Sequence, residues 1–221
     1  DDLPSFVTSR QMLDYLHKYA DHFDLKGMVR LDTSVKAITA AAKGGRWLVR
    51  HCHRDGPQDQ AEDEEFDAVV VANGHYYKPS LPRDDASGVP GLANFPGEVL
   101  HSKDYDTAEA FAGKHVVCIG ARASGTDVAR EVAQLASRVH VVDKYAPTPT
   151  STGGQRGNIC RHQALETLTS QGTAVFGDGA EEPVDAVIIC TGYDYYFPFL
   201  DTQTEDKLVS CDNRRGDPLF L

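Results

Sequence analysis

Leu13, Leu16, Ala20 and Phe23 recur at spacings of three and four behind Thr8 and Ser9, either of which can cap a helix. The spacing predicts a helix over about 9–22 whose apolar stripe packs on one side. Short β-type runs follow at 29–31, 35–41 and 47–52, separated by Asp/Thr and Lys43-Gly44-Gly45 turn signals. Residues 55–65 are polar and acidic and read as the solvated end of a hairpin. The run 66–72 is almost wholly apolar and stops at Asn73-Gly74, the pattern of a strand buried on both faces in a parallel sheet. Pro79, Pro82, Pro90 and Pro96 then exclude a helix or central strand from 78–96, which reads as a connection between domains.

From Lys114 the pattern becomes strand (115–119), glycine-rich turn, helix (124–135) and strand (139–142), a βαβ unit. A loop is expected over 146–158, a short helix near 163–170, and a hairpin through Val175 that turns at Asp178-Gly179. A buried strand at 186–190 closes the pattern, and the chain is polar beyond Leu200. Asp67-Ala-Val-Val-Val-Ala-Asn-Gly74 and Asp185-Ala-Val-Ile-Ile-Cys-Thr-Gly192 correspond position by position and bracket the βαβ unit. They predict an α/β fold in which a nucleotide domain interrupts a second domain that the chain leaves and re-enters.

Composition narrows the function. With 41% hydrophobic residues and a net charge of −11 over 221 residues, the chain is an ordinary globular one whose scattered Lys and Arg do not suit a polyanion, so nucleic acid is excluded as a partner. No apolar run approaches the roughly 20 residues of a membrane span, and the N-terminus has no signal-peptide pattern. The missing initiator Met reads as a chain that begins inside a longer protein. Five cysteines without a CxxC pair suit reduced thiols and an intracellular, reducing compartment, the cytoplasm or the cytosolic face of a membrane. His51-Cys52-His53 places only two ligands on one face of a strand, expected at a sheet edge, so no metal site is assigned.

The sharpest local chemistry is Gly120-Ala121-Arg122-Ala123-Ser124-Gly125-Thr126-Asp127, between a strand and a helix. There, free backbone N–H groups and the positive helix end converge on one point, where a pyrophosphate would sit. Gly125 allows close helix packing, Ser124 adds a hydroxyl, and Arg122 replaces the second glycine of the usual G-x-G-x-x-G. Asp143, at the end of the next strand, can accept ribose hydroxyls and favours NAD; Lys144 and Arg122 pull toward a 2′-phosphate. NADPH and NADH both stay open on these residues. No phosphate-binding P-loop, G-x-S-x-G elbow or H-E-x-x-H motif is present.

Ahead of this turn stands Phe95-Pro-Gly97-Glu-Val-Leu-His101-Ser-Lys-Asp-Tyr105, an F-x-G-x-x-x-H-x-x-x-Y pattern that resembles the fingerprint of the flavin-containing monooxygenase family. LPSFVTSRQMLDYLHKYADHF (3–23), VVVANGHYYKPSLP (69–82), CIGARASGTDVA (118–129) and DAVIICTGYDYYFPFL (185–200) resemble that family's segments in the same order. Tyr105-Asp106 in place of Trp and then Pro or Asp favours the N/S-oxygenating branch over the Baeyer–Villiger enzymes, which stay as an alternative.

The resemblance implies a two-dinucleotide flavoprotein. NADPH reduces FAD, O2 forms a C4a-hydroperoxyflavin, and an amine nitrogen or a sulfide takes up one oxygen atom, the cofactor carrying the hard chemistry. It places Ser124, Gly125, Thr126 and Asp127 on the NADP contact and Asn73-Gly74 and Thr191-Gly192-Tyr193 at crossings near the cofactors. Asn73, His101 and Tyr105 are the catalytic candidates. The implied domains are 1–106 (partial FAD domain and linker), 107–183 (Rossmann-like NADP domain) and 184–221 (return to the FAD domain), and a homodimer is compatible with them. The family's N-terminal FAD-binding glycine turn has no counterpart here. A non-catalytic dinucleotide-binding remnant is therefore a second reading, while a disulfide reductase would need the cysteine pair that is missing.

Overall fold

The computed structural model describes residues 7–41, 45–57, 60–85, 88–145, 154 and 156–200, and the backbone of 210–212 and 215–217. They form two compact units, one holding the described residues up to Val71 and from Phe197 to Leu200, the other running from Ala72 to Tyr196. The second unit contains the βαβ residues.

In the first unit, helix α1 (Ser9–His22) starts at a capping box: Gln11 N–H donates to Thr8 Oγ1 at 3.3 Å and Thr8 N–H donates to Gln11 Oε1 at 2.8 Å. The expected packing of its stripe is not found. Leu13, Leu16 and Phe23 are each more than half exposed, because no described residue covers that face. Residues 29–31 form no strand. A 3-10 turn at Lys26–Met28 and Asp32 at φ +52° bend the chain there.

Strands β1 (Thr33–Ala40), β2 (Trp47–His53) and β3 (Glu62–Phe66) make an antiparallel sheet in that order. Two expectations change. His51, Cys52 and His53 lie on the central strand, not an edge, and residues 62–65 are strand rather than hairpin end. Charge pairing explains the second: Arg50 donates twice to Asp63 at 2.8 Å, and Arg46 reaches Glu65 at 3.0 Å. An acidic segment can thus be a strand when its neighbour carries arginines in register.

Residues 67–72 are also not the buried strand that their apolarity predicts. They have no ladder partner among the described residues, and Val70 is 88% exposed. The second unit begins with the short β4 (Lys78–Pro79) and continues through β5 (Glu98–His101), β6 (His115–Ile119), helix α2 (Ala123–Val132), β7 (Arg138–Val142) and β8 (Ile159–His162). Next come β9 (Leu165–Leu168), β10 (Thr173–Phe176), β11 (Glu181–Pro183), β12 (Ala186–Ile189) and β13 (Tyr193–Asp194). Strands β14 (Ser210–Asp212) and β15 (Arg215–Asp217) form a separate two-stranded ribbon.

Five of these strands build a parallel sheet in the order β5-β12-β6-β7-β8, so the fold is α/β as expected. One face packs Val116, Cys118, Val139, Val141 and Ile188 against Val128, Ala129 and Val132 of α2. The other packs Val117, Ile119, Val187 and Ile189 against Leu168, Ala174 and Phe176 of the β9-β10-β11 meander. Alternate residues of each strand feed opposite cores, which is why these runs are apolar throughout. The Asp178-Gly179 turn is where the sequence puts it, with Gly179 at φ +84°. Residues 165–168, expected as helix, are strand β9: β10 provides an antiparallel edge, and Thr167 and Leu168 bond to the Pro90 carbonyl. Loop residues 146–153 lie outside the described set.

Candidate functional site

The site grows from the end of β6. Gly120 has φ +104°, a conformation L side chains rarely adopt, and its N–H donates to the Val142 carbonyl at 3.0 Å, locking the turn to β7. A Cβ on Gly120 would lie 2.6 Å from the Cys190 carbonyl oxygen, and one on Gly125 would lie 1.9 Å from the Gly120 oxygen. The chain therefore folds back on itself with no room for a side chain at either position. Arg122 is the N-cap of α2 and gives it no side-chain hydrogen bond; the Thr126 N–H is the one that closes back, onto the Arg122 carbonyl at 2.9 Å. The amides of Ala123, Ser124 and Gly125 consequently have no helical acceptor and stand at the positive end of the helix dipole, Ala123 and Ser124 exposed and Gly125 buried. Ser124 is exposed beside them, while the Thr126 hydroxyl is spent on the Ala121 carbonyl at 2.9 Å. Asp127 is exposed one turn along, with Arg130 at 3.8 Å.

At the end of β7, Asp143 is held on every side. Its N–H donates to the His162 carbonyl at 2.7 Å, Oδ1 accepts the Tyr145 N–H at 3.1 Å, and Oδ2 faces Arg161 Nη1 at 3.5 Å. Lys144 Nζ lies 4.9 Å from the centre of the Tyr145 ring. Lys144 first, and Arg122 second, hold the Tyr145 phenol below its usual pKa. Sequence reasoning brought Arg122, Asp143 and Lys144 to this rim but missed Arg161. Arg161 arrives through the pairing of β7 with β8, in register with Val141.

His101 does something different. Its ring is buried; Nε2–H donates to the Gly192 carbonyl at 3.0 Å and Nδ1 accepts the Lys103 N–H at 3.1 Å. Burial lowers its pKa, and both nitrogens are committed to backbone, as expected of a neutral positioning clip. The clip joins the fingerprint to the 191–193 segment. There Thr191 Oγ1 donates to the Ser80 carbonyl, the Ser80 N–H donates to Gly192 at 2.9 Å, and Tyr193 pairs with Pro79. Tyr105 stacks on Phe111 at 6.0 Å against the α2-side core, and burial, with Glu131 beside it, pushes its phenol pKa up. Asn73 and Gly74 are exposed, Gly74 at φ +74°, and lead into a ladder in which His75 meets Tyr195 and Tyr76 meets Tyr193, each at 5.0 Å.

His101→Ala removes two hydrogen bonds and leaves a cavity. We expect it to lower stability by about 2–3 kcal/mol in urea denaturation. An unchanged midpoint would show that the clip holds nothing.

A single strand-turn-helix glycine turn, one interrupted parallel sheet and a fingerprint clipped to a T-G-Y segment form a specific combination, and the comparisons with known proteins agree with it. A family model described as flavin-binding monooxygenase-like matches residues 1–147. The chain belongs to the flavin-containing monooxygenase family. It is 36% identical over 220 residues to flavin-containing monooxygenase FMO GS-OX-like 3 of Arabidopsis thaliana, covering 97% of this chain and 46% of that protein. FMO GS-OX-like 2 of the same plant is 38% identical over 217 residues, covering 95% and 44%. Among solved structures, the S-allyl-L-cysteine S-oxygenase of Allium sativum superposes with a TM-score of 0.82 at 33% identity, over 98% of this chain and 48% of that one. The chain thus spans about half the length of the relatives it matches. Among the described residues no helix is long and apolar enough to cross a membrane, and no group of three or more His, Cys, Asp and Glu could hold a metal.

Proposed function

We propose that this chain carries the NADPH-binding part of a flavin-dependent monooxygenase that places one oxygen atom of O2 on a soft nucleophile, a sulfide sulfur first and an amine nitrogen second. The observation that carries the reading is the Gly120–Gly125 turn: a close-packed cradle with open amides at the start of α2, rimmed by cations. The Ala123, Ser124 and Gly125 amides and the Ser124 hydroxyl bind the pyrophosphate, and Asp143 with Lys144 lies at the ribose. Asn73-Gly74 and Thr191-Gly192-Tyr193 border the cofactors, with His101 holding the latter segment in place.

Flavin, when bound, supplies electron transfer from NADPH and the activation of O2. Its own pyrophosphate needs a second glycine turn, and this sequence holds one, so no step on the flavin is assigned to residues here. The preference for sulfur over nitrogen rests on the likeness to the Allium S-oxygenase. Titration calorimetry on the 221-residue chain should show NADPH binding at roughly micromolar affinity and no retained FAD. A protein uniting this segment with a flavin turn should convert S-allyl-L-cysteine to a product one oxygen atom heavier, consuming NADPH and O2. Absence of NADPH binding would overturn the reading.

A further inference from the structure

Resting on the NADPH reading, we propose that Arg161, carried by β8 rather than by the glycine turn or the end of β7, determines the choice of nucleotide by neutralising Asp143 and binding the 2′-phosphate. In a site for NAD, a carboxylate at the end of the second strand accepts both ribose hydroxyls and repels a phosphate. Here the carboxylate is engaged on both oxygens before any ligand arrives: Tyr145 N–H donates to Oδ1 at 3.1 Å and the Arg161 guanidinium faces Oδ2 at 3.5 Å. Its acceptor capacity toward a ribose is reduced, and its charge is matched.

The surrounding charge points the same way. Arg122 and Lys144 both act on the Tyr145 phenol, and Tyr145 is bonded through its N–H to Asp143. One cation therefore stands at Asp143 and two at the Tyr145 side chain that follows it, so three elements bring positive charge to the end of β7, where a phosphate dianion would bring two negative charges. Of these cations Arg161 has the firmest base. Its backbone lies in the parallel ladder opposite Val141, and the next residue, His162, is buried, stacked on Phe176 at 3.7 Å and bonded to Asp178 at 2.9 Å. The Arg161 side chain is 38% exposed, so its guanidinium can meet solvent-borne phosphate, and it presents a planar pair of donors that suits a phosphate face better than an ammonium does.

The test is calorimetric titration of the wild-type chain, Arg161→Gln and Arg161→Lys with NADPH and with NADH. Arg161→Gln should weaken NADPH binding about tenfold or more while changing NADH binding less than about twofold, and Arg161→Lys should fall between. The salt dependence of NADPH binding should also become shallower in Arg161→Gln. Unchanged NADPH affinity in Arg161→Gln, or an equal loss for both nucleotides, overturns the assignment of Arg161 while leaving the dinucleotide site standing. A wild-type chain that binds neither nucleotide overturns the site itself.

Discussion

Gly125→Ala is expected to cost about 3 kcal/mol of stability in the second unit and to abolish the NADPH binding proposed above, although alanine is the better helix former. Intrinsic propensity would favour the change by roughly 1 kcal/mol. Space opposes it: the new Cβ would stand 1.9 Å from the Gly120 oxygen, 2.8 Å from the Gly120 carbonyl carbon and 3.2 Å from Cys190 Cβ. These are mostly backbone atoms that cannot rotate away. Gly120 is tied down as well, since its N–H is bonded to Val142 and the space a Cβ on it would take is closed by the Cys190 carbonyl. The helix must lift off the sheet, loosening Val128, Ala129 and Val132 from the core and spoiling the amide cradle together. Gly113→Ala is the control: Gly113 has φ +73° but open space around it, so the cost there is backbone strain alone, about 1 kcal/mol. Equal midpoints for the two variants in urea denaturation would refute the close approach at Gly125.

The second large effect is acid destabilisation through His140. This ring is fully buried between β7 and the meander, its Nδ1 3.0 Å from His162 Nε2, and His162 Nδ1 in turn 2.9 Å from Asp178 Oδ2. The other titratable or charged groups acting on it are His115 and Arg138, both of which disfavour its protonation, while Asp178 favours it. Burial is the largest influence, and the pKa is lowered to about 4. Above about pH 6.5 the folded and unfolded chains both hold this histidine neutral and stability is full. As pH falls from 6.5 toward 4 the unfolded chain takes a proton that the native one refuses, so stability drops, by about 3 kcal/mol over the whole window. Chemical denaturation at pH 7.5 and pH 4.5, compared with His140→Gln, isolates the effect. The variant keeps a donor for His162 but does not titrate, so its pH slope should be shallower. An identical slope would remove His140 as the cause.

The legible parts of this protein share one property: their signals are local. Strand β6, the glycine turn and α2 follow from an apolar run, a glycine and a helical stripe within about twenty residues, and Thr8, one of the two caps the sequence offers, lies next to the helix it starts. The illegible parts depend on partners far along the chain. Glu62–Phe66 is a strand because Arg46 and Arg50 lie across from it, and Leu165–Leu168 is a strand because β10 offers an edge. The run at 67–72 has the composition of a buried strand without a neighbour to bury it among the described residues, and the α1 stripe has the same fate. The fingerprint histidine is legible as a motif, but its two backbone partners, at Gly192 and Lys103, are not.

Sequence alone therefore determined the α/β class, the glycine turn between β6 and α2, the order of the motifs and through them the family. Those features are written in spacing, and spacing survives without a partner. Tertiary structure decided which groups gather around Asp143 at the end of β7. The crossover that lays β8 beside β7 brings Arg161 to Asp143 across a sheet, and nothing in the seventeen residues of sequence between them encodes that meeting. It arises because parallel strands bury both faces only when a distant segment closes the ladder.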